Sequence, residues 1–248
     1  MNAVFISDLH LSEERPHITA AFFVFLAKKA QQFDRLYILG DFFDAWIGDD
    51  DDRPLATALA ENLRALTDSG VQVFFQHGNR DFLLGNDYAA RCGMQLLSDF
   101  HLLELGGEKY LLAHGDQFCT QDVAYQQFRT VVREPQWRHD FLAKSLQERR
   151  DIAQHLRARS REANSIKAED IMDVTQAEVV SAMQQYGAHN LIHGHTHRPA
   201  RHRLTLGDGR AAERVVLGEW GETFWYVVLE SDGLQLLSAP GVGSVYTG

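Results

Sequence analysis

Asp8 with His10, Asp41, Asn79, His114, and His195 with His197 each stand where a short apolar run gives way to polar residues. They offer carboxylates, imidazole nitrogens and one amide oxygen, with no thiolate among them. That mixture suits Mn, Fe or Zn in a working site better than Ca, and it does not suit a structural zinc. The donors suffice for two ions. Asp8, His10, Asp41 and His197 would hold one; Asp41, Asn79, His114 and His195 would hold the other, with Asp41 shared. Two divalent ions outweigh two carboxylates, and the surplus charge can hold a hydroxide and an anionic phosphate.

The apolar runs are the elements that must position these groups. "AVFISDLH" (3–10), "RLYILGD" (35–41), "VQVFFQHGN" (71–79), "KYLLAHGD" (109–116) and "NLIHGHTH" (190–197) read as strands. Helices are expected between the first three, at roughly 18–32 and 54–69, with Pro54 in the first turn of the second. Strand–helix alternation predicts an α/β fold with parallel pairs and right-handed crossovers, whose ligands gather beyond the carboxyl ends of the strands. Residues i and i+2 of a strand share a face, so Asp8 and His10 should aim together, as should His195 and His197. Gly40 would let the backbone approach a ligand at Asp41.

Beyond residue 197, hairpins turning at Gly207–Gly209 and Ser231–Gly233 predict a second, more antiparallel sheet. Residues 121–186 differ: they are helical in composition, with Trp137, Phe141, Leu142, Leu146, Ile152 and Leu156 at near-helical spacing. Residues 129–167 hold ten Lys/Arg against five Asp/Glu, in a chain whose net charge is -10. The expected organisation is therefore an acidic core, 1–120 and 187–248, carrying a basic helical insertion, 121–186.

The 248 residues, 45% hydrophobic, are enough for one sizeable core, and the acidity disfavours a nucleic-acid binder. Cys92 and Cys119 lie in no CxxC pattern and read as free thiols. "MNAVFISDLH" shows no signal-peptide pattern, and Lys28 and Lys29 stop the greasiest stretch well short of a membrane span, so a soluble chain is expected. "GDDDDR" (48–53) reads as a solvated acidic loop and "EWGETFWY" (219–226) as sheet core. Asp44 and Asp81 read equally as holders of ligands or as ordinary loop acids.

In order and spacing, "D-L-H", "G-D-F-F-D", "G-N-R-D", "H-G-D" and "G-H-T-H" resemble the five motifs of the calcineurin-like metallophosphoesterases. The resemblance implies a β-sandwich flanked by helices (αββα), here with an inserted helical cap. It also implies a dinuclear centre on Asp8, His10, Asp41, Asn79, His114, His195 and His197 that activates a hydroxide.

Most of that superfamily has "GNH" where this chain has Asn79–Arg80. The "GNRDF" form with a helical insert resembles the UDP-2,3-diacylglucosamine pyrophosphatase branch of lipid A synthesis. That branch implies hydrolysis of UDP-2,3-diacylglucosamine to UMP and 2,3-diacylglucosamine 1-phosphate with two Mn2+, Fe2+ or Zn2+ being alternatives. Asp41, Asn79, Arg80 and His195 would be catalytic. Substrate contacts would come from Asn79, Arg80, Asp122, Ser160, Asn164, Lys167 and His195; 160, 164 and 167 share a helical face. A lipid substrate further implies a peripheral seat on the anionic cytoplasmic face of the inner membrane, with no nucleic acid and no evident protein partner. Another nucleotide-sugar or dinucleoside polyphosphate pyrophosphatase is the alternative. The arginine has a physical reason: a departing phosphate is already a stable anion, so what needs help is charge on phosphate oxygens, which a guanidinium neutralises bidentately.

Overall fold

Alternate residues of the short strands serve two different cores. In β1 (Ala3–Ile6), β2 (Arg35–Leu39) and β3 (Gln72–Gln76), Val4, Ile6, Leu36, Ile38, Val73 and Phe75 face helices α1 (Pro16–Lys28), α2 (Pro54–Asp68) and α3 (Asn86–Cys92). Their neighbours Ala3, Phe5, Tyr37 and Leu39 face the opposite way, onto a second sheet. Both faces are apolar because both are covered, which is why these strands read as continuous hydrophobic runs. The computed structural model describes residues 1–166, 171 and 173–241.

The first sheet runs β11 (Gly233–Pro240), β10 (Thr223–Glu230), β1, β2, β3, β4 (Gln95–Leu96). Strands β1 to β4 are parallel, and β10 and β11 join antiparallel. The second runs β5 (Phe100–Leu105), β6 (Glu108–Ala113), β7 (Asn190–His193), β9 (Ala211–Val216), β8 (Ala200–Thr205), parallel across β6–β7–β9 and antiparallel at both edges. Leu112, Ile192 and Val215 meet the first sheet, while Leu111, Ala113 and Leu191 meet α7 (Gln176–Gln185) on the outer side. The layers are helix, sheet, sheet, helix.

The strands beyond residue 197 do not make a sheet of their own. The β8–β9 hairpin completes the second sheet, and β10–β11 extends the first by pairing β10 with β1 (Ala3↔Leu229, Val4↔Val228, Phe5↔Val227). A hairpin added to a parallel sheet covers an otherwise open edge.

Helices α4 (Val123–Arg133), α5 (Pro135–Leu142) and α6 (Leu146–Ile166) cover the carboxyl ends of the first-sheet strands. Their seating corrects in part the reading of "GDDDDR" as a solvated loop: Asp50 and Asp52 are exposed, but all four aspartates are tied to partners. Asp49 accepts from the backbone N–H of Gly85, Asp87 and Tyr88 and from Trp46 Nε1, capping α3. Asp51 is buried against Arg53. Asp50 and Asp52 receive Arg149 and Arg150 of α6, and Arg149 also donates to the Ile47 carbonyl at 2.8 Å. The acids hold the cap down.

The two arginines differ in burial, so their loss should differ. Arg149 is only 3% exposed, and Arg149→Ala should cost about 1–3 kcal/mol in urea unfolding by leaving the Ile47 carbonyl unpaired. Arg150→Ala, with Asp52 exposed, should cost less than about 1 kcal/mol.

Candidate metal centre

β1 ends at Ile6 and β7 at His193, so the paired donors that follow them are not strand residues. Their convergence has another origin. The non-glycine residues with positive φ among the described residues are Asp8 (57°), His10 (49°), Asp41 (51°), His195 (68°) and His197 (55°). All belong to the expected donor set. Left-handed backbone at a side-chain-bearing residue costs about 1–3 kcal/mol and persists only where surroundings impose it.

Those surroundings are interlocked loops. Asp8 N–H donates to the Gly40 carbonyl, His10 N–H to that of Asp41, and Gly194 N–H to that of His114. His195 N–H donates to Asp8 Oδ2 at 2.9 Å, and Trp220 N–H to the Asp8 carbonyl at 3.0 Å. Glycines permit the approach. A Cβ on Gly78 would strike the Asp41 carboxylate and amide, and one on Gly194 would strike Ser7 Oγ and Asp8 Oδ2. Asp81, fully buried, accepts from the N–H groups of Gly78 (2.8 Å) and Phe42 (2.8 Å), joining the loops after β2 and β3. Asp81 is therefore no ordinary loop acid: it braces the backbone on either side of Asp41 and Asn79.

The side chains then fall into two groups. Asp8, His10 and His197 have donor atoms within 4.8 Å of one another, and so do Asp8, Asp41 and His114. Asn79 Oδ1 lies 2.9 Å from both His114 Nε2 and His195 Nδ1, extending the second group. Asp41 stands 3.7 Å from His114 and 3.9 Å from His10. Asp8 thus reaches into both groups, where the sequence suggested Asp41 alone as the bridge. Asp8 Oδ1 and His10 Nδ1 are buried without a hydrogen-bond partner. Unpartnered donor atoms in a cluster of buried carboxylates and imidazoles fit a cation.

Electrostatics shows what the cluster does without one. Burial pushes the Asp41 carboxyl up to about 7, with Asp81 and Asp8 adding to the effect against His114. Burial also works against charge on Asp8, but the imidazole of His197, 3.3 Å away, outweighs it and holds Asp8 below the usual carboxylate range. His197 is raised to about 10: burial opposes its charge, and the contacts with Asp8 and Glu219 override burial. His10 and His195 are pressed down to about 3 and about 4, chiefly by burial. Protons sit where cations belong.

Beside the donors, Arg80 Nε lies 3.7 Å from Asp41 Oδ2, and its Nη1 donates to Asp44 Oδ1 at 3.1 Å. The other oxygen of Asp44 pairs with Arg157 of α6. A cavity of about 610 Å³ opens above, with Asp41, Asn79, Arg80 and His195 on its floor. Asp122 lines it and also caps α4 through Tyr125 N–H (3.1 Å); Ser160 lines it from α6. The side chain of Asn164 and the whole of Lys167 lie outside the described residues.

Two further acids carry roles that the sequence pattern leaves unassigned, although one of them closes the "H-G-D" motif. Asp116, buried two residues after His114, accepts from Arg129 Nε (2.8 Å) and Tyr125 Oη (2.5 Å), anchoring α4, and the Tyr125 ring stacks 6.1 Å from that of His195. Glu219, within the presumed sheet-core aromatics, faces His197. The "HGD" acid could have been found by asking what a buried Asp would pair with in the basic insert.

Residues 1–199 match the calcineurin-like phosphoesterase family. The chain belongs to that family. As a calcineurin-like phosphoesterase with this donor cluster, it is a metal-dependent hydrolase using a divalent cation. It is 54% identical over 236 residues to a protein of Cellvibrio japonicus named UDP-2,3-diacylglucosamine hydrolase, covering 95% of this chain and 98% of that one. Proteins of the same name in Marinobacter nauticus and Escherichia coli O7:K1 are each 50% identical, over 92% and 97% of this phosphoesterase and 93% and 100% of their own lengths.

Two outcomes follow for the metal-free protein. Metal binding must displace the protons of Asp41 (about 7) and His197 (about 10), so affinity for Mn2+ should rise as pH rises from 6 toward 10. Calorimetry at pH 7.5 in buffers of different ionisation enthalpy should show at least one proton released per loaded chain; a pH-independent affinity would contradict the assignment. Gly194→Ala, whose methyl group would displace Asp8, should lose bound metal, whereas Gly107→Ala, strained at a φ of 84° but with no atom near the added methyl group, should retain it at some cost in stability.

Proposed function

We propose that this phosphoesterase cleaves the pyrophosphate bond of UDP-2,3-diacylglucosamine, releasing UMP and 2,3-diacylglucosamine 1-phosphate, with two Mn2+ per chain. The observation that carries the reading is a two-faced cleft. Donors and Arg80 form a polar floor, and Trp46, Phe82, Phe128, Trp137, Phe141 and Leu156 give an apolar wall above it. A diphosphate joined to acyl chains has the same division. The names of relatives near 50% identity over almost the full chain support the same substrate.

Bound ions would supply Lewis acidity and an acidic water as nucleophile near neutral pH. Asp8, His10, Asp41 and His197 would hold one ion, with Asp41, Asn79, His114 and His195 holding the other; Asp8 is close enough to serve both. Arg80 neutralises charge gathering on the phosphate oxygens, and Asp44 keeps its guanidinium aimed. The departing phosphate needs no proton at once, so an arginine serves where an alkoxide leaving group would call for a histidine. Asp122 and Ser160, with Asn164 and Lys167 of the same insert, would bind the sugar and phosphate.

In this reading the cap is α4–α6, and α7, packed on the second sheet, belongs with the core. The same cap would seat the protein on the anionic cytoplasmic face of the inner membrane. Val123, Phe128 and Val131 of α4 and Leu142 of α5 are exposed, and no helix among the described residues is long and apolar enough to cross a membrane.

The test is 31P NMR of the Mn2+-loaded protein with UDP-2,3-diacylglucosamine in detergent, beside UDP-glucose, ADP-ribose and diadenosine tetraphosphate. Loss of the lipid diphosphate alone, with UMP appearing, is expected; cleavage of the soluble compounds instead would leave the metal chemistry and remove the lipid substrate. Asp41→Ala should abolish turnover. Arg80→Ala should lower kcat by about 100-fold or more, and near-full turnover would refute its role.

A further inference from the structure

His197 has two sides. Its Nε2 points inward, 3.3 Å from Asp8 Oδ1 and 3.3 Å from His10 Nε2. Its Nδ1 points outward, 3.3 Å from Glu219 Oε2. The second oxygen of Glu219 accepts from Arg15 Nη1 at 3.1 Å, and Arg15 Nη2 donates to the Trp220 carbonyl at 2.6 Å. Trp220 N–H in turn donates to the Asp8 carbonyl, closing a ring of contacts around the first group of donors.

His197 needs such a holder more than its neighbours do. Asp8, His10, Asp41 and His114 are buried, and His114 has its outward nitrogen fixed on the Leu39 carbonyl at 2.9 Å. His197 is a third exposed and sits on left-handed backbone at the rim, where packing alone would leave its ring free to turn. We infer that Glu219 is the positioning residue of His197, fixing the proton on Nδ1 and aiming Nε2 at the ion it shares with Asp8 and His10. Arg15 balances the charge of Glu219 and holds its rotamer. An outer carboxylate of this kind orients a ligating histidine and raises its basicity.

The inference rests on the two-ion reading of the donor set, and the test separates the two. Metal-free wild type, Glu219→Ala, Glu219→Gln and Glu219→Asp would be titrated with Mn2+ alone by calorimetry and by Mn2+ electron paramagnetic resonance, and their unfolding temperatures measured without metal. Wild type should take up two ions. Glu219→Ala should bind one of them about 10–100-fold more weakly and leave the other unchanged. Glu219→Gln, which retains an acceptor oxygen, should recover most of that loss. Wild-type affinities for both ions in Glu219→Ala would overturn the inference. So would equal weakening of both ions together with a lowered unfolding temperature in Glu219→Ala and Glu219→Gln, which would mark Glu219 as a loop brace. A wild type that binds a single ion would refute the two-ion reading, and Glu219 would then be judged on that ion.

Discussion

Two buried carboxylates, Asp8 and Asp41, must share a space a few Å wide with four imidazoles, and the rest of the fold answers to that demand. Groups of this kind cannot be brought together by one strand or helix, because each element presents its side chains at fixed intervals. They come instead from four loops, each leaving the end of a different strand, and Asn79 joins them from a fifth. The loops approach closely enough that Gly40, Gly78 and Gly194 have no room for a Cβ, and five of the donors, all but Asn79 and His114, adopt left-handed backbone. That geometry is unfavourable residue by residue. The sandwich makes it affordable by fixing the strand ends rigidly and letting the loops hydrogen-bond one another.

The cap is joined to this floor through charge. Arg129 and Arg133 reach Asp99 and Asp116, Arg157 shares Asp44 with Arg80, and Arg149 and Arg150 take Asp50 and Asp52. Half of the ten basic residues between 129 and 167 are therefore turned inward, toward acids of the core. The charge contrast between insert and body is largely an internal fit. Arg133 also donates to the Gly78 carbonyl at 3.0 Å, one residue before Asn79, so α4 touches the floor as well as the roof.

What could be read in the sequence was what local pattern controls. Apolar runs of four to six residues ended where strands end, and the polar residues after them are the ones that meet. Where the answer depended on partners far along the chain, the sequence was silent or misleading. The ion pairs of Asp50 and Asp52 in "GDDDDR" leave no local trace, because Arg149 and Arg150 lie about a hundred residues away. Strand β5 is only partly apolar and makes no distinct run, and Glu219 is hidden among aromatic neighbours. Strand alternation predicts the pairing of Asp8 with His10, but both lie beyond the end of β1, and positive φ at each residue brings them together.

The seating of β10 against β1 also sets an order of events. The loop carrying Asp8 and His10 follows β1, the first strand in the order of the fold. Its closing contacts, the β10 pairing and Trp220 N–H on the Asp8 carbonyl, come from residues more than two hundred positions later. Contacts so distant form late, because loop closure over that length must be achieved first. The loop bearing Asp8 and His10 therefore stays open on one side until β10 has paired with β1, so metal competence waits on a strand pairing rather than on the donors' own neighbourhood.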